Sequence, residues 1–483
     1  MRILWKFVSG PVAFLFFYLL PYGGLTPEAK LGLAVFGWMI LWWITNPIPW
    51  AVTSLLPLAL FPILRLMPIN AAAEMYGQTI FFWIWGTVLM GYALDRHGLA
   101  RRFALWFMSL PGVGGHSGRL TFVYMFVTGL ISMVVSDAAT VAMMMPVGMS
   151  LILFSRTVAK ASASDQTNFA AFIALGTLYG AVSGGTATLA GLPHNKLSAD
   201  ILHQLTGRTL GWFEWMKVGV PVFLASVVAF YVILRIFLPP EFTDLPGGED
   251  FLRKEKSKLG RLTRAERATL FVFGMMVLLF TLPTILEFTL GPAHPITQWS
   301  HTGLSLNVIP PLVILLLFCT PVDAAKGQFV LEWRDTIANT PWNAMMLCTA
   351  AAGVVAVLVD FGLGNSLGAV VRDLGLGRYS LPYVSAAITA FITNFMSGVA
   401  ATALFGSILI PAAEHVGWNP ASMAIMLANV AMGIAMPWAG ATSATAFASG
   451  AIELKTMIRI GLIATVVFSV LIATIHILMA PFL

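Results

Sequence analysis

Two long apolar stretches of the chain each contain a pair of hydroxyl side chains four residues apart. The first pair is Ser132 and Ser136, followed directly by Asp137, and the second pair is Thr393 and Ser397. A spacing of four residues puts both hydroxyls of a pair on one face of a helix. Oxygen ligands at interrupted helices bind Na⁺ in membrane carriers. The pattern therefore indicates two matched cation sites, although such hydroxyls can instead donate to the carbonyl four residues earlier.

Asp137 stands out because an ionisable side chain inside an apolar stretch is costly and is a candidate functional group. Its charge needs a partner cation, a bound metal ion or a proton. The residue therefore indicates either a Na⁺ site strengthened by a carboxylate or a carboxyl group that gains and loses H⁺ during transport. The remaining alternative is a loop aspartate that faces water.

The composition predicts a protein embedded in lipid. Of the 483 residues, 58% are hydrophobic and 10% are charged, whereas soluble proteins carry about 25% charged residues. We therefore expect an all-α polytopic membrane protein. The net charge of +6 does not indicate nucleic acid, because the basic residues lie in short loops. Cys319 and Cys348 have neither metal-site nor disulfide spacing, and the absence of a hydrolase or metalloprotease motif argues against a membrane-embedded enzyme.

The apolar runs give the elements that must position these residues. About eleven of them are long enough to cross a bilayer, which takes roughly 20 residues. The hydroxyl pairs fall in two long, interrupted spans at 119–154 and 381–413. Two further stretches, 79–110 and 341–371, are broken by glycine and predict re-entrant hairpins, with two tilted helices each as the alternative.

Each half of the chain also contains a break rich in glycine and threonine, at 183–195 and at 437–445. Broken helices expose half-helix N-termini, which attract anions, and unwound carbonyls, which attract Na⁺. A pair of interruptions at corresponding positions of two halves is typical of a secondary transporter with a central binding site.

The distribution of lysine and arginine predicts the orientation. The polar segment 241–267 contains seven basic residues, whereas 287–302 and 414–419 contain none. Since cytoplasmic loops are enriched in basic residues, 241–267 is expected in the cytoplasm, with the N-terminus inside and the C-terminus outside. The interrupted spans then run in opposite directions, which predicts an inverted repeat. The expected location is the cell membrane, of the bacterial inner-membrane type.

Three motifs resemble one family, the divalent anion–sodium symporters that include the dicarboxylate and citrate carriers. They are residues 42–57, the Gly185–Thr188 run with Gly191, Pro193 and Asn195, and the run 447–450 with Lys455, Met457 and Gly461. The resemblance covers nearly the whole chain. It implies an elevator-type homodimer with scaffold helices at 1–70 and 213–335, the latter with the cytoplasmic loop 239–267. The transport subdomain is then 71–212 (repeat 1) and 336–483 (repeat 2).

The resemblance also implies the site residues. The Na⁺ ligands would be Ser132, Ser136, Asp137 and Gly191 in the first half, and Thr393, Gly398 and Ala439 in the second. The substrate would contact the residues at the two family signatures and at the two breaks: Ser136, Asp137, Ala138, Pro193, Ser397, Gly398, Val399, Gly440 and Ala441.

This chain departs from the family pattern at those positions. Asp137 and Gly398 stand where the family has asparagine. The family's Thr-Pro pairs correspond to Leu192-Pro193 and Gly440-Ala441, so most of the hydroxyls that bind a dicarboxylate are lost, and the glycine and alanine leave more room. Asn394 could substitute for the missing asparagine. His194 and Lys196 are expected at the membrane edge, with contact to an anion as the alternative.

The expected function is Na⁺-coupled transport of organic anions, namely di- or tricarboxylates, by an elevator mechanism. The alternative is a proton-coupled carrier or an anion exchanger for a different or larger substrate.

Overall fold

Helices form nearly all of the fold, because a backbone in lipid must satisfy its own hydrogen bonds. The computed structural model describes residues 4–20, 25–159, 167–361 and 376–483. The helices of the first half are α1 (Leu4–Leu19), α2 (Pro27–Thr45), α3 (Trp50–Thr53), α4 (Leu56–Ile63), α5 (Ile69–Glu74), α6 (Thr79–Arg96), α7 (Leu99–Met108), α8 (Ser117–Ser132), α9 (Asp137–Ala159), α10 (Asn168–Gly185), α11 (Pro193–Thr206) and α12 (Trp212–Phe237).

The second half repeats much of this order. Its helices are α13 (Gly248–Ser257), α14 (Arg264–Leu290), α15 (Pro295–Gly303), α16 (Ile309–Cys319), α17 (Trp333–Asn339), α18 (Trp342–Asp360), α19 (Ser380–Ile392), α20 (Gly398–His415), α21 (Pro420–Val430), α22 (Ala441–Ala448) and α23 (Leu454–Met479). Two short antiparallel strands, β1 (Pro321–Asp323) and β2 (Gln328–Phe329), follow α16, with Pro321 opposite Phe329.

The prediction of a multi-pass membrane protein is confirmed. Within the described ranges, six helices are long and apolar enough to cross a bilayer, namely α9, α12, α14, α18, α20 and α23. Five shorter apolar stretches accompany them. The predicted count of eleven crossings stays a prediction.

Helices α8 and α9 double back on each other, so the expectation of one interrupted span over 119–154 is wrong. The Tyr124 hydroxyl donates to the Met144 carbonyl at 2.9 Å, whereas 20 residues of straight helix would separate them by about 30 Å. Both outer ends of the pair also contact the polar segment 239–267. The Ser117 N–H donates to Thr243 at 2.9 Å, and Phe154 stacks on Phe251 at 4.4 Å between ring centroids.

Helices α19 and α20 also have both outer ends on one side, which corrects the interrupted span over 381–413. Near the start of α19, Tyr383 hydrogen-bonds Thr474, close to the end of α23, at 3.0 Å. Beyond the end of α20, Asn419 accepts from Arg208 at 3.3 Å, and Arg208 also donates to Leu483 at 2.6 Å. This side is remote from segment 239–267, because the 26 residues of α12 separate the two, a length of about 39 Å.

Helix α7 does not return through the molecule beside α6, so a re-entrant hairpin over 79–110 is not confirmed. The chain turns at Gly98, where φ is +72°. Arg101 of α7 then pairs with Glu255 at 3.1 Å, and Arg102 pairs with Glu266 at 2.7 Å. These contacts hold α7 against the polar segment. In the second predicted hairpin, α18 is one helix up to Asp360, and residues 362–371 lie outside the described residues.

The two termini of the described chain lie at opposite ends of the molecule. Arg96 at the end of α6 pairs with Asp335 at 2.7 Å, which places the start of α18 near segment 239–267. The Ala51 N–H donates to Asn343 of α18 at 3.1 Å, so the end of α2 and the start of α1 lie there too. Leu483 lies at the other end, beside Arg208.

Candidate functional site

The turn between α8 and α9 together with the first residue of α9, residues 133–137, forms the first half of the candidate site and is called tip 1. Ser132 before it is fully buried, and its hydroxyl has no hydrogen-bond partner among the described residues. Asp137 is the last residue of tip 1. Its Oδ1 accepts from the Ala138 N–H at 2.8 Å, and its Oδ2 accepts from the Thr442 hydroxyl at 3.3 Å. Thr442 belongs to the second half of the chain.

The turn between α19 and α20 together with the first residue of α20, residues 394–398, is the counterpart and is called tip 2. Ser397 caps α20 by accepting from the Ala400 N–H at 3.2 Å. The Thr393 hydroxyl donates to the Thr389 carbonyl at 2.5 Å. The alternative of back-bonding hydroxyls therefore applies at Thr393, whereas Ser132 leaves its oxygen free.

The break of the first half, residues 186–192, is called break 1, and that of the second half, residues 431–440, is called break 2. Each tip is hydrogen-bonded to the break in its own half. The Thr188 hydroxyl of break 1 donates to the Met133 carbonyl of tip 1. In break 2, the Ala435 N–H donates to the Asn394 Oδ1 at 2.8 Å, and the Asn394 Nδ2 donates to Ala390 at 2.9 Å. Asn394 therefore fixes tip 2 to break 2, and its amide is used within the protein rather than in place of the missing asparagine.

The two breaks repeat the same internal geometry. Asn195 Nδ2 donates to the carbonyl of Gly185 at 2.9 Å, ten residues earlier, and Ser443 Oγ donates to the carbonyl of Gly433 at 2.5 Å, also ten residues earlier. A Cβ on Gly191 would clash with Gly185, just as a Cβ on Gly433 would clash with Ala439. The matched contacts align residues 185–195 with 433–443.

The helix after each break contacts the tip of the other half. Thr442 of α22 hydrogen-bonds Asp137, as described above. At the aligned position of α11, His194 lies on Gly398 of tip 2, where a Cβ added to the glycine would be 2.9 Å from Cε1 and 3.2 Å from Nδ1 of the imidazole. His194 is 6% exposed and Lys196 is 5% exposed. Both side chains are therefore packed inside the protein, and their expected place at the membrane edge stays a prediction.

Several of the residues predicted to bind Na⁺ lie close together. In the second half, the carbonyl of Thr393 and the side chain of Ala439 both lie beside Gly433, and Gly398 lies beside the Ala431 carbonyl. In the first half, Gly191 lies against Gly185, within the break that Thr188 joins to tip 1. Carbonyl and hydroxyl oxygens suit an alkali cation.

The residues predicted to contact substrate lie mainly at helix starts. Asp137, Pro193, Gly398 and Ala441 begin α9, α11, α20 and α22, and Gly440 precedes α22. Helix N-termini carry free N–H groups and partial positive charge, which favour an anion. Val399 is only 8% exposed. No Lys, Arg or His in the described ranges forms an ion pair with Asp137.

Sequence reasoning did not mention Thr442, and it considered His194 for contact with an anion without assigning it to the site. Their contacts cross between the two halves, and no local pattern shows such a contact. An alignment of the two breaks could have found them. When Ser443 is aligned with Asn195, Thr442 is aligned with His194.

A family model described as the sodium:sulfate symporter transmembrane region matches residues 2–483. The chain belongs to the sodium:sulfate symporter family. Membership confirms the resemblance to sodium-coupled dicarboxylate carriers and the assignment as a multi-pass membrane transport protein.

Curated relatives of this family member include two staphylococcal proteins. The sodium-dependent dicarboxylate transporter SdcS of Staphylococcus saprophyticus is 27% identical over 464 residues, which cover 94% of this chain and 87% of SdcS. SdcS of Staphylococcus aureus strain NCTC 8325 is 27% identical over 470 residues, which cover 94% and 86%.

Two solved transporters share the fold of this family member. The Alcanivorax borkumensis YdaH transporter has a TM-score of 0.57 at 16% identity, with 92% of this chain and 97% of that chain covered. MtrF of Neisseria gonorrhoeae, from a class of antimetabolite efflux pumps, has a TM-score of 0.57 at 14% identity, with 96% of both chains covered. At these identities the likeness concerns the fold alone.

Proposed function

We propose that this protein is a secondary active transporter that carries di- or tricarboxylates together with Na⁺. The observation that carries the proposal is the meeting of each tip with the helix after the break of the other half, through Asp137–Thr442 and His194–Gly398. These contacts bring the starts of four helices together in two pairs, α9 with α22 and α11 with α20. The sodium-dependent dicarboxylate transport named for the SdcS relatives supports this substrate class.

We assign the Na⁺ ions to the two tips. The first ion would take oxygens from Ser132, Ser136, Asp137 and the Gly191 carbonyl, and the second from Thr393, Gly398 and the Ala439 carbonyl. The unpartnered hydroxyl of Ser132 supports the first site. A carboxylate beside an anionic substrate requires a counter-ion, since two like charges 4 Å apart repel by about 4 kcal/mol at an effective dielectric of 20.

The substrate would lie between the two tips and the starts of α11 and α22. Ser136, Asp137, Ala138 and Pro193 would line one side, and Ser397, Gly398, Val399, Gly440 and Ala441 the other. The small residues of tip 2 and α22 leave room for a tricarboxylate.

An elevator movement is the proposed mechanism, with the helix pairs α8/α9 and α19/α20 as re-entrant hairpins of an inverted repeat. A cavity of about 520 Å³ between tip 1, α7 and α14 supports it. Its walls are almost entirely apolar, including Leu130, Val134, Leu270 and Phe273. Apolar surfaces can slide past each other without breaking polar contacts.

The homodimer and the orientation complete the proposal. The homodimer rests on the family resemblance, with the outer helices as the dimer-forming scaffold. Segment 239–267 is placed in the cytoplasm because of its basic residues.

A proton-coupled carrier is the second candidate, because Asp137 stands where the family has asparagine. Asp137 accepts one hydrogen bond from a side chain, Thr442, at the long distance of 3.3 Å. Such a carboxyl group could take up H⁺ in place of Na⁺.

Uptake by proteoliposomes distinguishes the two candidates. We expect an inward Na⁺ gradient to drive accumulation of labelled succinate or citrate, and a pH gradient alone to drive none. Asp137→Asn should retain uptake and raise the Na⁺ concentration for half-maximal rate about tenfold, because the carboxylate ligand is lost. Accumulation driven by pH alone, abolished in Asp137→Asn, would establish proton coupling. Unchanged ion dependence in the variant would exclude both roles of Asp137.

A further inference from the structure

We propose that His194 binds the transported anion, supplying from the first half of the chain the polar group that tip 2 lacks at Gly398. The proposal rests on the function proposed above, because the ligand of the imidazole is a carboxylate of the organic anion. In this proposal, His194 of α11 determines substrate affinity and selectivity.

The two halves of the site divide their polar groups differently. At tip 1, the helix start carries the long side chain of Asp137, and the facing helix α22 presents the short side chain of Thr442. At tip 2, the helix start is Gly398, which has no side chain, and the facing helix α11 presents the large imidazole of His194. The helix start that has no side chain, at Gly398, thus faces the larger side chain, that of His194.

The position of the ring supports a direct role. Its Nδ1–Cε1 edge lies where the Cβ of residue 398 would point, at 3.2 Å and 2.9 Å. The same Cβ position lies 2.3 Å from the Ala431 carbonyl, so a larger residue at 398 would clash with the backbone of break 2 as well as with the imidazole. The edge of the ring thus occupies the place from which a side chain at 398 would reach the substrate.

The hydrogen bonding of the ring is incomplete. His194 is 6% exposed, its ring lies within reach of a hydrogen bond to the Ala428 backbone, and its Nε2 has no hydrogen bond of good geometry to any described residue. A buried imidazole offers one N–H donor and one lone pair, and a buried polar group without a partner is unfavourable. A bound carboxylate would accept the N–H of the imidazole, while the start of α20, an 18-residue helix, favours the negative charge.

Space filling is the competing explanation, in which the imidazole only packs on Gly398. The two explanations predict different transport kinetics for a variant that lacks the imidazole. Loss of a packing residue lowers the amount of folded protein and leaves the KM of the remainder unchanged. Loss of a substrate ligand raises the KM for the anion and leaves the Na⁺ dependence largely intact.

The test compares four variants in Na⁺-driven succinate uptake by proteoliposomes. We expect His194→Ala to raise the KM for succinate at least tenfold, with kcat and the half-saturating Na⁺ concentration within twofold. His194→Phe, which keeps an aromatic ring of similar size and loses both ring nitrogens, should raise the KM in the same direction. His194→Gln, which keeps an N–H donor, should stay within threefold of the parent. Gly406→Ala, on the facing helix α20, should change nothing, because its Cβ meets only side-chain atoms, of Ile201 at 3.3 Å and of Ile410 at 3.8 Å.

An unchanged KM in both His194→Ala and His194→Phe would overturn the proposal. If His194→Ala does not fold, the comparison of His194→Phe with His194→Gln decides instead, and equal KM values would overturn it. A parent protein without Na⁺-driven uptake would refute the proposed function separately. Thermal shift with succinate, citrate and tricarballylate would then test the imidazole. Equal shifts for parent and His194→Gln, with a smaller shift for His194→Phe, support it, and equal shifts for all three proteins overturn it.

Discussion

Asp137 and Gly398 occupy equivalent places in the two halves, yet their chemistry differs because of what faces them. Thr442 donates to the carboxylate of Asp137, and the imidazole of His194 covers Gly398. Residues 137 and 442 therefore form one unit, and residues 398 and 194 form another. Neighbours of this kind affect each other's substitutions, so single variants at these positions are best interpreted in pairs.

Lys196 and Asp200 form a buried ion pair away from the tips, and their loss should affect stability more than substrate affinity. Lys196 lies one helical turn before Asp200 and 5.7 Å from the ring centre of Trp83. Lys196→Met would leave the Asp200 carboxylate without its partner, which we expect to cost about 2 kcal/mol because Asp200 is partly exposed.

The apparent Tm of purified protein measures that loss. The double variant Lys196→Met/Asp200→Asn serves as the control, since it removes both charges and should recover part of the Tm. Equal Tm values for parent and Lys196→Met would show that the ion pair does not contribute. Both residues line a cavity of about 370 Å³ with His203 and His301, so transport should be measured alongside.

At the scale of elements, close approach of α8 and α10 holds tip 1 in place. A Cβ on Gly184 would overlap the Gly129 carbonyl, and a Cβ on Gly180 would lie 2.5 Å from the Met125 carbonyl. Small residues that let backbones approach are the usual means of packing helices in membranes. The packing brings the end of α8 to the start of break 1.

Gly184→Ala should therefore destabilise the protein by about 3 kcal/mol or more, because backbone atoms cannot move aside as a flexible side chain can. We expect little folded protein after extraction in mild detergent, measured by gel filtration. Gly274→Ala in α14 is the matched control, since a Cβ there meets nothing within 4 Å. A normal yield of Gly184→Ala would mean that α8 and α10 lie further apart.

At the scale of the whole molecule, contacts between distant segments cluster at two opposite ends of the protein. Segment 239–267 meets α7, the start of α8 and the end of α9 at one end. Arg208, Asn419 and Leu483 meet at the other end. The helix pairs at the two tips enter from opposite ends, as an inverted repeat requires.

Cysteine labelling in whole cells tests the orientation. The exposed Cys319 is first replaced by alanine, and the buried Cys348 remains. A membrane-impermeant maleimide should then label Phe482→Cys in intact cells, because Phe482 is 65% exposed at the C-terminal end. Ser257→Cys should react only after permeabilisation, since it lies in the basic segment. The reverse pattern would invert the proposed orientation.

The sequence by itself determined the membrane class, the family and the positions of the tips and breaks. Hydropathy, glycine-rich interruptions and hydroxyl spacing are local properties, and the motifs at 42–57, 185–195 and 447–461 are contiguous. The tertiary structure decided the direction of the chain at each tip. An apolar helix that continues and one that turns back have the same composition, so only contacts such as Tyr124–Met144 distinguish them.

The tertiary structure also decided which residues face each other across the site. The contact of His194 with Gly398 joins positions 204 apart, and that of Thr442 with Asp137 joins positions 305 apart. The hydroxyl of Thr393 and the amide of Asn394 looked available in the sequence, yet both are used in hydrogen bonds within the protein. Such pairings follow from the packing of whole helices, which residue types alone do not specify.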